Sequence, residues 1–232
     1  MKDFVTPNAG RRATLLGMSP LALLTLSGCL GGGTSGTSTV GGSVVKGPLS
    51  NALVGLDYDG DGVVDSTKVR TDADGNFSLR STQENFTVIA VTDGRTIDSS
   101  SGTVLSGITL KAPSGATVVT PTTTLMNEGG LTAAQVSDVL GLPEGVDPLS
   151  FNAFAAGVNA ADALAVEKAS HQIMSVVNAF AAAAEGSGAS QSDAFDAALS
   201  SVAEVVKTKA AQLTDVNASA ADKTLDLSNG AD

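Results

Sequence analysis

Asp57-Tyr58-Asp59-Gly60-Asp61-Gly62-Val63-Val64-Asp65 crowds four carboxylates into one short stretch, with two glycines between them. Like charges this close repel one another unless a cation sits among them, and hard oxygen ligands at this spacing suit Ca²⁺. With Asp57 as the first ligand position, Asp59 and Asp61 take the third and fifth. Gly62 then takes the sixth, where a calcium loop turns sharply. Val63 would offer its carbonyl at the seventh, and Asp65 would act at the ninth, commonly through water. The predicted metal site is therefore Asp57, Asp59, Asp61, Val63 and Asp65 around Ca²⁺. Read without a metal, the same stretch is a solvated acidic hairpin.

No other part of the chain offers comparable chemistry. A nucleophilic triad needs a histidine, and the chain has one, His171. If Ile173 faces the core of a helix, His171 lies about 160° away around the axis, on the polar face. A zinc site would need further His or Cys ligands. Glycoside hydrolysis needs paired carboxylates beside a sugar platform, yet there is no Trp, and the single Tyr, Tyr58, lies inside the acidic loop. Gly31-Gly32-Gly33 is not followed by the Lys-Ser/Thr of a phosphate loop. A formal charge of −11 without a basic cluster argues against nucleic acid as a partner. These residues predict a non-catalytic protein.

The acidic loop needs strands to hold it. Val44-Val45, Ala52 to Leu56, Val69-Arg70, Asn76 to Arg80, Phe86 to Thr92 and Ile108 to Lys111 are short β-type runs bounded by turn residues. Ala52, Val54 and Leu56 alternate with Leu53 and Gly55, so a strand enters the loop rather than a helix. From Thr120 the period becomes helical. Thr120 caps a helix starting at Pro121, and Thr132-Ala133-Ala134-Gln135 is a capping box closed by Gly141. Asp147-Pro148 is expected to open another short helix. Two longer helices follow, capped by Asn159 and Ser190. Their predicted apolar stripes are Val166, Ile173, Val177, Phe180 and Ala184, then Phe195, Ala198, Leu199, Val202, Val205, Val206 and Leu213. The short link Gly186-Ser187-Gly188-Ala189 makes that pair antiparallel. The expected class is α+β in segregated domains: an all-β sandwich over 40–115, then a helical segment over 116–232 with the long antiparallel pair.

The N-terminal end reads as an address. Arg11 and Arg12 precede an apolar run from Ala13 to Leu26 that is too short to span a bilayer comfortably. Leu26-Ser27-Gly28-Cys29 resembles the lipobox of bacterial lipoproteins. The resemblance implies a signal peptide over 1–28, and lipidation of Cys29, which would become the new N-terminus. Acyl chains contribute about 0.8 kcal/mol per buried CH₂, so two or three anchor stably. A non-lipidated signal peptide or a plain buried Cys are the alternatives. Leu30 stands where an Asp would retain such a protein at the inner membrane, so the expectation is an exported protein on the outer membrane or cell surface. The arginine pair also resembles a loose twin-arginine signal, and both export routes stay open. Leu30 to Thr39, rich in Gly, Ser and Thr, would be a flexible tether. Cleavage would leave a charge of about −13.

Two resemblances cover the rest. The loop is similar to the DxDxDG calcium loops of extracellular modules, and departs from an EF-hand at the twelfth position, where Lys68 replaces a bidentate Glu. Gly42-Ser43-Val44-Val45-Lys46-Gly47-Pro48-Leu49, Ala52-Leu53-Val54 and Thr71-Asp72-Ala73-Asp74-Gly75-Asn76-Phe77 resemble the sandwich repeats of carboxypeptidase-regulatory-like and Cna-B-like proteins. That likeness implies a prealbumin or immunoglobulin-like sandwich with Phe77 in its core. Asp72 and Asp74 either complete the calcium shell or cap a turn. Val119-Thr120-Pro121-Thr122-Thr123-Thr124-Leu125, with Leu140-Gly141-Leu142-Pro143 and Val146-Asp147, resembles all-α segments of large calcium-rich bacterial surface proteins. Thr122 departs from the Leu usual there. Together these imply a lipid-anchored, calcium-binding surface protein with a structural or adhesion role and a protein or surface-polymer partner. A ligand-binding or enzyme-accessory lipoprotein, or a fragment of a larger adhesin, are the competing expectations.

Overall fold

The computed structural model describes residues 37–227. They lie within one compact unit, Ser35–Asp232. The arginine pair, the apolar run and Cys29 lie outside the described residues. Strands occupy the first half of that unit: β1 (Ser38–Val44), β2 (Leu49–Ser50), β3 (Leu53–Asp57), β4 (Val69–Arg70), β5 (Asn76–Ser81), β6 (Thr87–Val91), β7 (Thr96–Asp98), β8 (Thr103–Leu105), β9 (Thr109–Pro113) and β10 (Val118–Val119). They bond into small sandwich-like sheets ordered β10-β1-β5, β2-β7-β8 and β4-β3-β6-β9. β5 shows the expected alternation, with Phe77, Leu79 and Ser81 inward and Asn76, Ser78 and Arg80 outward. Phe77 is buried, as its turn motif implies.

β1 starts at Ser38, six residues before the predicted Val44, and takes the last two residues of the predicted tether. Ser38 to Ser43 pair antiparallel with Ser81 to Asn76. Its glycine content comes from packing: a Cβ on Gly42 would stand 2.5 Å from the Thr117 carbonyl oxygen and 3.2 Å from the Phe77 ring. β10 lies parallel to β1 and leads the chain straight into the first helix.

The helices are α1 (Pro121–Gly129), α2 (Ala133–Leu140), α3 (Ala160–Gly186), α4 (Gln191–Gln212) and the single turn α5 (Ala220–Lys223). Thr120, Thr132, Asn159 and Ser190 cap the first four as predicted, and Gly130 and Gly141 close α1 and α2 in the left-handed conformation. Asp147-Pro148 does not open a helix. The Asp147 carboxylate accepts from Leu149 N at 3.0 Å and Ser150 Oγ at 2.7 Å, which closes a local turn instead.

The two long helices pack together, and each buries an i, i+4 row: Ala169, Ile173, Val177 and Ala181 on α3, and Ala194, Ala198, Val202, Val206 and Ala210 on α4. All nine are buried, and rows of this kind are the ridges that helices commonly set into a neighbour's grooves. A row of this kind rotates about 40° with each step, so Phe180, set on Ile173's face by a seven-residue spacing, is left outside it and is 58 % exposed. Val205 is exposed for the same reason. His171 is exposed, in keeping with a polar face.

α1 joins the two halves. It packs against β9, α3 and α4. Thr123 Oγ1 donates to the Lys111 carbonyl at 2.9 Å, Thr124 Oγ1 accepts from Lys111 N at 2.9 Å, and Lys111 Nζ meets Glu128 Oε1 at 2.7 Å. Val44, Leu56, Val88 and Leu110 from the strands and Leu125, Val136, Ile173, Phe195 and Val202 from the helices belong to one hydrophobic cluster. No helix of the described residues is long and apolar enough to cross a membrane.

Candidate metal centre

β3 delivers Asp57 to the loop. The strand is held by β6 on one side, with Asp57 opposite Thr87, and by β4 on the other. Val54, Gly55, Leu56 and Asp57 are all buried. A buried carboxylate demands partners. Asp57 Oδ1 accepts from Asp59 N at 3.2 Å and Gly60 N at 2.7 Å, and Oδ2 from Gly62 N at 3.0 Å. The loop thus wraps around Asp57, which keeps 3 % of its surface exposed. Wrapping this tightly needs positive φ at Gly60 (83°) and Gly62 (84°), where a side chain would be strained.

The exposed acids continue the pattern. Asp59 Oδ1 accepts from Asp61 N at 3.2 Å, and Asp61 Oδ1 from Val63 N at 2.7 Å. These turns bring one oxygen from each of Asp57, Asp59 and Asp61 within 4.8 Å of one another. A group of this kind can hold a metal ion, and its donors are carboxylate oxygens throughout.

Asp65 is held differently. Its Oδ2 accepts from Tyr58 N at 2.7 Å, and its own N–H donates to the Leu56 carbonyl at 2.9 Å. Ser66 repeats the clasp, donating N–H to Leu56 O at 3.1 Å and accepting Leu56 N on its hydroxyl at 2.8 Å. The returning chain therefore lies directly on β3. Space for it comes from Gly55, where a Cβ would stand 2.1 Å from Val64 Cγ1. The alternation of Ala52, Val54 and Leu56 marks the strand but not this dependence of the loop on Gly55. The signal was a glycine inside a strand pattern, which often marks close approach.

Val63 is exposed at the loop tip, and Lys68 is exposed beyond the loop. Tyr58 packs its ring against the core, with its hydroxyl 3.5 Å from Ser81 Oγ and Thr82 N. The Ser81 contact holds its phenol below the usual value. Asp72 serves its own turn: Oδ1 accepts from Asp74 N at 2.9 Å and Asn76 N at 2.8 Å, and Oδ2 from Asn76 Nδ2 at 3.2 Å. The Asn76 N–H chiefly lowers its pKa. Turn capping, one of the two roles open for Asp72, is the one its geometry displays.

The chain matches no protein-family model, no curated protein and no solved structure.

Proposed function

We infer that the loop binds Ca²⁺, and that the protein is a non-catalytic surface module which the ion stiffens. The observation that carries this reading is the convergence of Asp57, Asp59 and Asp61 within 4.8 Å. An all-oxygen donor set favours a hard cation, and three like charges so close give a divalent ion a large electrostatic advantage over water. The Val63 carbonyl and Asp65 complete the shell in this reading, Asp65 through water. The lipobox-like Leu26-Ser27-Gly28-Cys29 supports export and a lipid anchor at Cys29, on a surface where calcium is plentiful. The sandwich would then be of the carboxypeptidase-regulatory-like or Cna-B-like kind, presenting the module to a protein or surface polymer.

Calcium sites in extracellular modules typically bind at about 10⁻⁴ to 10⁻³ M. With ~10 mM Ca²⁺ and a Kd of ~1 mM, linkage stabilises the fold by about 1.4 kcal/mol. The test is thermal unfolding of the protein starting after Cys29, in EDTA and in 10 mM Ca²⁺, beside an Asp59→Ala/Asp61→Ala variant. A calcium-dependent rise in Tm that the variant loses is expected. An unchanged wild-type Tm would return the stretch to a solvated acidic turn.

A further inference from the structure

The run Thr120 to Thr124 holds four threonines, and all four are buried. Three are hydrogen-bonded within the protein. Thr120 Oγ1 accepts the Thr123 N–H, Thr123 Oγ1 bonds to the Thr120 N–H and the Lys111 carbonyl, and Thr124 Oγ1 bonds to Lys111 N and the Thr120 carbonyl. Thr122 differs. Its residue is 3 % exposed, and its hydroxyl is the buried side-chain oxygen without a hydrogen-bond partner among the described residues. A hydroxyl removed from water and given no partner is strongly disfavoured, and such groups in folded proteins generally bond to something.

The cavity beside it suggests what. Thr122 lines a space of about 10 Å³ together with Thr120, Leu142, Val146, Phe151 and Val166. A single water molecule needs roughly 10–15 Å³ by the same measure, so the space takes one water and nothing larger. Water also needs polar company. Thr120 lines the same cavity, and its hydroxyl keeps a lone pair beyond the one that accepts Thr123 N. A second cavity of about 10 Å³ shares Thr120, Phe151 and Val166 and continues to Ser170, Glu167 and Lys46. The two spaces thus adjoin through residues they share, and apart from these polar groups the walls of both are mainly apolar.

We propose that Thr122 anchors an internal water molecule that bridges its hydroxyl to that of Thr120, at the seam between the first turn of α1, the 142–151 segment and α3. The site is built by the threonine itself: a leucine would fill the space and leave no donor. A valine would keep the shape and lose the hydroxyl.

Crystal structures of the full chain and of its Thr122→Val and Thr122→Ser variants test this. An ordered water within about 3 Å of the residue-122 hydroxyl is expected in the wild type and in Thr122→Ser, and its loss in Thr122→Val. Thr122→Ser keeps the comparison decisive should the valine variant fail to fold. A wild-type cavity without water density, or a Thr122 hydroxyl turned onto a backbone carbonyl, would overturn the proposal. So would a water that persists in Thr122→Val, because the hydroxyl would then not be its anchor.

Discussion

Leu125 offers a direct test of whether sheets and helices form one cooperative unit. It is fully buried on α1, the helix that packs on β9 and on α4, and it belongs to the cluster that includes both Leu110 and Phe195. Leu125→Ala removes the transfer energy of the lost carbons and leaves a cavity that close-packed neighbours fill only in part. Such changes cost about 2–5 kcal/mol. Taking ~3 kcal/mol, a unit of this size should lose roughly 6–12 °C in Tm. Two probes separate the halves. With no Trp and a single Tyr, intrinsic fluorescence reports Tyr58 alone, at the loop end of the strands. Far-UV circular dichroism at 222 nm is dominated by α3 and α4. Urea unfolding followed by both signals should give coincident curves in the wild type and in the variant, with an equal shift of midpoint. A variant whose dichroism transition moves while the Tyr58 transition stays would refute the shared core.

Two further perturbations follow from close contacts. Gly55→Ala drives a methyl into Val64 and should destabilise by about 1–3 kcal/mol, while Gly55→Ala/Val64→Ala recovers part of the loss; chemical denaturation of these two and of Val64→Ala alone measures the coupling, and strict additivity would contradict it. Asp98 is buried in the β2-β7-β8 sheet. Burial alone would raise its pKa, but Ser100 Oγ at 2.6 Å, Ser100 N at 2.9 Å and Lys46 Nζ at 3.4 Å outweigh it and hold the carboxyl below the ordinary value. A depressed folded pKa means stability that is complete above the unfolded value of about 3.9 and is lost as pH falls through the folded one. Acid unfolding should therefore steepen below about pH 4, and Asp98→Asn should flatten that limb; an unchanged acid limb would count against the assignment.

What the sequence disclosed follows the range of the forces involved. Caps were legible because Thr120, Thr132, Asn159 and Ser190 act within three residues of themselves. The acidic loop was legible for the same reason, since Asp57, Asp59 and Asp61 converge through bonds spanning two to five residues. The start of β1 was misjudged because Ser38 and Thr39 read as tether and Gly41 and Gly42 break the apolar pattern, until Thr117 and Phe77 close in on the glycines from far along the chain. β7 and β8 were missed because each is a three-residue strand, too short for a period to register. Phe180 was misplaced because a helical period gives a face but not the i, i+4 row that a partner helix selects. The strand between Gly115 and the Thr120 cap, β10, owes its pairing to β1, some seventy-five residues upstream.

The loop and the core are bound through one strand, which makes the reach of the ion measurable. Asp57 is both the last residue of β3 and the post around which the loop winds. β3 pairs with β6, β6 with β9, and β9 carries α1 through Thr123, Thr124 and the Lys111–Glu128 pair. An ion that binds the folded loop and not the unfolded chain stabilises whatever unfolds together with that loop. If the Leu125 test gives coincident transitions, calcium must raise the midpoint at 222 nm by as much as the midpoint read from Tyr58. Helices without a single predicted metal ligand would then melt later because of an ion bound at the far end of a strand. The comparison is a thermal melt of the wild type in EDTA and in 10 mM Ca²⁺, with both probes on one sample. Calcium that moved only the Tyr58 signal would mean that the loop frays on its own, and that Asp57 does not tie it to the strand.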